Sequence, residues 1–288
     1  MQLQRFSTVE GFLALAKDYL VEREAEHNLI LGICEQLLSS PGLYNQPPYF
    51  AVATDEGTVY GCALQTPPWE LVLSEMDARR AVDLIVEDRA ILDDPATLPG
   101  VTGPVALAER FATLWTQKTR IASRLVLRER AFTLSQVIPP ALAPGRMRPA
   151  RETERDLLYQ WLVDFTDEAL AGHMPGDLAE LADRWSKGVN RTMQLWIDNG
   201  HPVSMAGVGS RTPHGVRIGP VYTPADLRNR GYASNLVAQA CEAELAKGLR
   251  HCFLFTDLAN PTSNHIYQEI GFEAVTDVDR WSFEVAPG

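Results

Sequence analysis

The stretch Arg217–Phe272, RIGPVYTPADLRNRGYASNLVAQACEAELAKGLRHCFLFTDLANPTSNHIYQEIGF, decides how the chain is read. Residues 217–222 form a short strand pattern, with Ile218, Val221 and Tyr222 as the strand formers. Pro224 removes a backbone donor and bars further regular pairing. The turn from Asp226 to Gly231 carries two arginines and opens directly into a helix. That helix places Ala233, Leu236, Val237, Ala240, Cys241 and Leu245 mostly three or four positions apart, and Gly248 stops it. The first amides of a helix have no internal partners, and the helix dipole adds partial positive charge at the same end. Such an end is an anion site. Gly231 has no Cβ and lets the chain approach a phosphate, while Arg228 and Arg230 add charge-assisted donors. A pyrophosphate fits this arrangement.

A second patterned element follows at a fixed distance. After a strand at 252–256 come Asn260-Pro261-Thr262-Ser263-Asn264, then Tyr267, then Gly271-Phe272. Arg228-Asn229-Arg230-Gly231-Tyr232-Ala233 resembles the (Q/R)-x-x-G-x-(G/A) signature of the GNAT family of acyl-CoA N-acyltransferases. The downstream element resembles that family's N-P-x-(S/N)-x-x-x-Y-x-x-x-G-F segment. The motifs cover Val216–Phe272, and a domain of the family would cover roughly 146–285.

The resemblance implies an α/β (α+β) fold, a mixed and mostly antiparallel sheet flanked by helices. It implies direct transfer of an acyl group, usually acetyl, from acetyl-CoA to an amine. The pyrophosphate would lie on Arg228, Asn229, Arg230, Gly231, Tyr232, Ala233 and Ser234. The pantetheine arm would pair like an added strand with Val221, Tyr222 and Thr223, where the fourth strand splays from the fifth. A backbone N–H near Val221 or Tyr222 would polarise the thioester carbonyl. Tyr267 stands where the family places the acid that protonates the leaving thiolate, and Asn260 and Asn264 where it contacts the pantetheine or orients the acid. Each residue also has a plainer reading. The arginines fit a solvated turn, Asn260 a helix cap before Pro261, and Tyr267 an aromatic packed under the sheet. The strand at 216–222 carries no carboxylate to act as general base. Asp257, Glu168 and His173 are the candidates, with Asp257 also readable as a turn or cap residue. The segment 171–176 is an expected acceptor loop.

The rest of the chain sets bounds. A net charge of −11 and a pI near 5.0 argue against a primary nucleic-acid binder. Cys34, Cys62, Cys241 and Cys252 form no C-x-x-C pair and no zinc spacing, so they read as buried, reduced thiols of a cytoplasmic protein. No metal site is expected, and no apolar run is long enough to span a membrane. The acceptor would be a small-molecule or peptide amine, and a homodimer is possible.

The order of elements before residue 138 nearly repeats the order after residue 146, which points to two tandem GNAT-like domains. In the first, Ser74-Glu75-Met76-Asp77 precedes a helix with two acids and no glycine, a start that repels a pyrophosphate. That half is read as degenerate. The expected division is 1–138, a Pro-rich linker at 139–145, and a catalytic domain at 146–288. Two other functions fit the same frame: a CoA-sensing or scaffolding module without turnover, and transfer of an aminoacyl or long-chain acyl group.

Overall fold

The computed structural model describes residues 1–92, 97–169 and 176–284. In chain order the elements are β1 (Gln2–Phe6), α1 (Val9–Glu22), α2 (Asn28–Ser39), β2 (Tyr49–Asp55), β3 (Thr58–Gln65), β4 (Leu71–Leu73), α3 (Arg79–Leu92), β5 (Gly100–Pro104), α4 (Val105–Thr119) and β6 (Ala122–Leu134). They continue as β7 (Arg146–Pro149), α5 (Arg155–Ala169), α6 (Leu178–Ser186), β8 (Arg191–Asp198), β9 (His201–Arg211), β10 (Gly215–Tyr222), α7 (Tyr232–Leu245), β11 (His251–Asp257), α8 (Pro261–Glu269) and β12 (Glu273–Glu284). The sequence reading assigned no strand at β1 or β12. Those strands alternate polar and apolar residues only weakly, and partners distant in sequence hold them.

The chain divides into two compact units, Met1–Arg130 with Thr276–Gly288, and Ala131–Val275. This differs from the expected 1–138, 139–145 and 146–288. The division falls inside the long strands β6 and β12, whose two ends belong to different units, and not at the prolines.

In the first unit the sheet runs β1-β2-β3-β4-β5-β12. Neighbours are antiparallel except β4 and β5, which pair in parallel at Leu71–Val101 and Val72–Thr102. Successive residues of β2 point to opposite faces. Phe50 and Val52 pack with Phe12, Ala16, Leu20, Ile30 and Leu31 of α1 and α2. Ala51 and Ala53 pack with Val82, Ile85, Phe111 and Trp115 of α3 and α4. Helices therefore cover both faces.

The second unit repeats the plan. Its sheet runs β11-β10-β9-β8-β7, antiparallel except for the β10–β11 pair. Asn199 and Gly200, with φ of 47° and 84°, make the tight β8–β9 turn. On one face Leu158, Leu162, Leu181 and Trp185 of α5 and α6 pack on Met193, Leu195, Met205 and Tyr222. On the other, Leu236, Val237, Ala240 and Cys241 of α7 pack on Val208, Val216, Ile218 and Cys252. The element order β, α, α, β, β, β, α, β, α and the placing of the one parallel pair are the same in both units. Each unit is thus a mixed, mostly antiparallel sheet flanked by helices.

All four cysteines are free and buried. No helix among the described residues is long and apolar enough to cross a membrane.

Candidate functional site

Two features of the second unit meet at the end of β10. The first is a parting of strands. β10 and β11 share register only at Gly215–His251, Val216–Cys252 and Arg217–Phe253. Beyond that β10 bends away, because Gly219 and Pro220 form a bulge between Ile218 and Val221 in its pairing with β9. Gly219 has φ 137°, outside the range other residues readily adopt. Val221 and Tyr222 stay paired to Ala206 and Met205 on the β9 side. On the β11 side they have no strand partner among the described residues. Two carbonyls here are already engaged, Tyr222 by the Ser204 hydroxyl at 3.1 Å and Thr223 by Arg228 Nε at 2.9 Å.

The second feature is the mouth of α7. Pro224 opens a short turn of 3-10 helix at Ala225–Leu227, and the chain then passes through Asn229 at φ 61° and Gly231 at φ 76°. Gly231 is the helix N-cap and has no side chain to cap with. Asn235 N–H donates to the Gly231 carbonyl at 3.0 Å. Among the described residues the amides of Asn229, Arg230, Gly231, Tyr232, Ala233 and Ser234 have no acceptor. Asn229, Arg230 and Gly231 are exposed, Ala233 and Ser234 half-buried and Tyr232 buried. A Cβ on Gly231 would meet only ordinary contacts, 3.4 Å from Ala143 Cβ. The positive φ is therefore what calls for glycine. Behind the mouth, Asn235 Nδ2 donates to the carbonyls of Ala141 and Gly231, both at 2.9 Å, and fixes the proline-rich segment against the helix.

The arginines are partly committed elsewhere. Arg228 Nη2 stands 2.5 Å from Glu168 Oε2, and its guanidinium lies 5.8 Å from the centre of the Tyr222 ring. Arg230 donates to the Asp226 carbonyl at 3.1 Å and stays exposed. Tyr222 is buried against Trp161 and turns its hydroxyl toward Asp164 and Glu168, at 3.4 and 3.5 Å. Burial, then these two carboxylates, raise the Tyr222 phenol above its ordinary value.

The residues of the downstream motif come together around α8. Asn260 caps the helix by accepting from Ser263 N–H at 3.0 Å, with Pro261 at the first helical position. Asn264 Nδ2 donates to the carbonyls of Asp257 and Asn260, while its Oδ1 is buried without a partner among the described residues. Asp257 accepts from Ala259 N–H at 2.8 Å as a turn cap. Tyr267 is half-buried, packs edge-on against Phe272 at 5.9 Å and joins the cluster containing Cys241. Burial, then the neighbouring Cys241, raise its phenol above the ordinary value, so it carries its proton at neutral pH. Of the three base candidates, Asp257 and Glu168 have these partners. His173 and most of the loop 171–176 lie outside the described residues.

The first unit treats the equivalent corner differently. After β4, Glu75 N–H donates to His27 Nε2 at 3.1 Å and the Glu75 carbonyl accepts from Tyr19. Ser74 Oγ bonds the same carbonyl and takes the Cys62 amide, and Arg23 pairs with Asp77 at 3.0 Å. Side chains of α1, of the residues after it and of α2's cap occupy the groups that an anion would need.

In the second unit, then, the sheet parts at its parallel strands beside a helix mouth whose amides have no acceptor among the described residues. Residues 155–272 match the acetyltransferase (GNAT) family model. Solved structures similar over the whole length include a Drosophila protein, 15% identical with a TM-score of 0.69, covering 98% of each chain. A GCN5-related N-acetyltransferase from Sphaerobacter thermophilus is 17% identical, with a TM-score of 0.61 over 99% of this chain and 96% of its own. A tandem GNAT protein from the clavulanic acid biosynthesis pathway is 12% identical, with a TM-score of 0.61 over all of both chains. At these identities the likeness is one of fold, and the fold is a tandem of two GNAT-like domains. No curated protein matches the chain.

The sequence reading did not single out Asp164, which is legible only once α5 is known to lie over Tyr222.

Proposed function

We propose that the chain is an acyltransferase that moves an acetyl group from acetyl-CoA to an amine by direct attack, with one active domain, the second. The observation that carries this reading is the row of free amides from Asn229 to Ser234 beside the parting of β10 from β11. The amides and the α7 dipole favour a diphosphate there. Val221, Tyr222 and Thr223 offer a strand edge for an amide-bearing arm, and the buried Asn264 Oδ1 lacks a donor that such an arm can supply. The residues present thus fit the carrier.

When bound, the carrier supplies an activated acyl group: its C–S bond breaks as a C–N bond to the amine forms. The chain's part is to position and to move protons. An amide near Val221 or Tyr222 donates to the carbonyl oxygen. Tyr267, kept neutral by burial, gives its proton to the departing sulfur. The incoming ammonium loses its own proton to Asp257, to Glu168 or to water. Asp164 and Glu168 beside the Tyr222 hydroxyl favour a cationic acceptor.

A second reading, CoA sensing without turnover, has its own support. β10 carries no carboxylate, Asp257 is occupied as a cap and Glu168 is paired with Arg228. Release of free thiol from acetyl-CoA across a panel of small amines and peptide N-termini separates the two. Turnover with any amine supports the enzyme. Tight CoA binding with no thiol released by any acceptor supports the sensor.

A further inference from the structure

Arg228 directly precedes Asn229, whose amide is the first of the row without an acceptor among the described residues at the mouth of α7. Its guanidinium nevertheless turns to α5 and the end of β10. Nε donates to the Thr223 carbonyl at 2.9 Å, Nη2 stands 2.5 Å from Glu168 Oε2, and the group lies 5.8 Å from the centre of the Tyr222 ring. Thr223, Glu168 and Tyr222 all lie outside the mouth, and the two bonds leave further N–H donors of the guanidinium for another acceptor.

Glu168 has a physical reason to hold a cation. Asp164 and Glu168 are four apart on α5, so their carboxylates are neighbours and repel each other. Both face the Tyr222 hydroxyl, at 3.4 and 3.5 Å. α5 has no basic residue after Arg155, and Arg228 is the one cation among the described residues within ion-pair distance of either carboxylate. The pair itself is weak. The Arg228 and Glu168 side chains are 41% and 48% exposed, and an ion pair so open to water adds little, because solvent screens it and two long side chains must be held still. A diphosphate is the stronger partner for a guanidinium, since it brings more charge and oxygens spaced for a two-pronged bond.

We infer that the Arg228–Glu168 pair is a latch on the carrier site, closed while the site is empty and opened by the carrier's diphosphate. Rotation about Arg228's own side-chain bonds takes the guanidinium from Glu168 to an anion held by the adjoining amides. Glu168 thus competes with the diphosphate for Arg228 and weakens carrier binding. Once Arg228 has moved, Glu168 and Asp164 stand beside Tyr222 without their counter-charge, and an acceptor that brings a positive charge replaces it. Docking of the carrier is thereby coupled to binding of a cationic acceptor, and the coupling is reciprocal. The inference rests on the carrier reading of the α7 mouth given above.

The test is calorimetric titration of CoA into the full chain as wild type, Glu168→Gln, Arg228→Met and the double variant, at fixed ionic strength. Glu168→Gln releases Arg228 and should lower the Kd about two- to fivefold, the range an exposed ion pair supplies. Arg228→Met should raise it about tenfold, the loss of charge-assisted bonds to the diphosphate. In the Arg228→Met background Glu168→Gln should change nothing, since no arginine is left to release. Equal tightening by Glu168→Gln with and without Arg228 would mean that the glutamate merely repels the carrier, and overturns the latch. An unchanged Kd in either single variant, with Gly231→Asp still weakening binding, also overturns it and leaves the carrier reading standing. No binding of CoA to the wild type removes the carrier reading itself, and the latch with it.

Discussion

Tyr267 and His27 show how much one ring can decide. Tyr267 is held by Phe272 and by the cluster under β10 and β11, and its hydroxyl is its one polar group. Tyr267→Phe keeps that packing. We expect it to leave the Kd for CoA unchanged and to lower kcat roughly 10²- to 10⁴-fold, the contribution of a positioned acid. An unchanged kcat would reduce Tyr267 to a packing residue. His27 is buried, with Nδ1 on the Leu20 carbonyl at 3.0 Å and Nε2 accepting from Glu75 N–H. It is therefore neutral, and burial, its largest cause, lowers its value. The unfolded chain takes up this proton below about pH 6.5 while the folded chain resists. The contribution to stability is complete above that pH. It is lost as the pH falls from there toward the lowered folded value, by at most about 1.4 kcal/mol per pH unit. Urea unfolding at pH 7.5 and pH 5.5 should show the loss in the wild type and a smaller one in His27→Gln. Equal losses would mean that His27 is not the group responsible.

At the scale of elements, the mouth of α7 separates folding from binding. Gly231→Asp puts a good N-cap side chain at the helix start, in a left-handed conformation that aspartate tolerates better than most residues. The Tm should move by only a few degrees. The same carboxylate stands among the free amides and repels a diphosphate, so the Kd for CoA should rise at least tenfold. Circular dichroism melts and a titration with CoA check the two halves; an unchanged Kd would place the diphosphate elsewhere. This mouth was legible in the sequence because turn, glycine and amphipathic helix are local signals. So was the cap at Asn260, followed by its helix. The parting of β10 from β11 could be expected only from the family resemblance, since it depends on where two strands stop sharing register. The pairing of Arg228 with Glu168 was not legible, because 60 residues separate them and only the packing of α5 over Tyr222 brings them together.

For the whole molecule, the two units share an order of elements and a sheet plan without visible likeness in sequence. What a sheet needs is apolar faces at period two, and many sequences supply them. What an anion site needs is particular, and the units differ there. In the second, six amides at the start of α7 have no acceptor among the described residues; in the first, His27, Tyr19 and Ser74 hold the groups around Glu75. The positions of β1 and β12 were lost to the sequence reading because partners distant in sequence define them. Removing side chains from the first unit's corner, as in His27→Ala with Tyr19→Phe, should lower Tm without creating a second carrier site. The most direct test of the account is calorimetric titration of CoA into the full chain. It predicts one site per chain in the wild type and binding at least tenfold weaker in Gly231→Asp. Two equivalent sites, no binding, or one site indifferent to Gly231→Asp would contradict it.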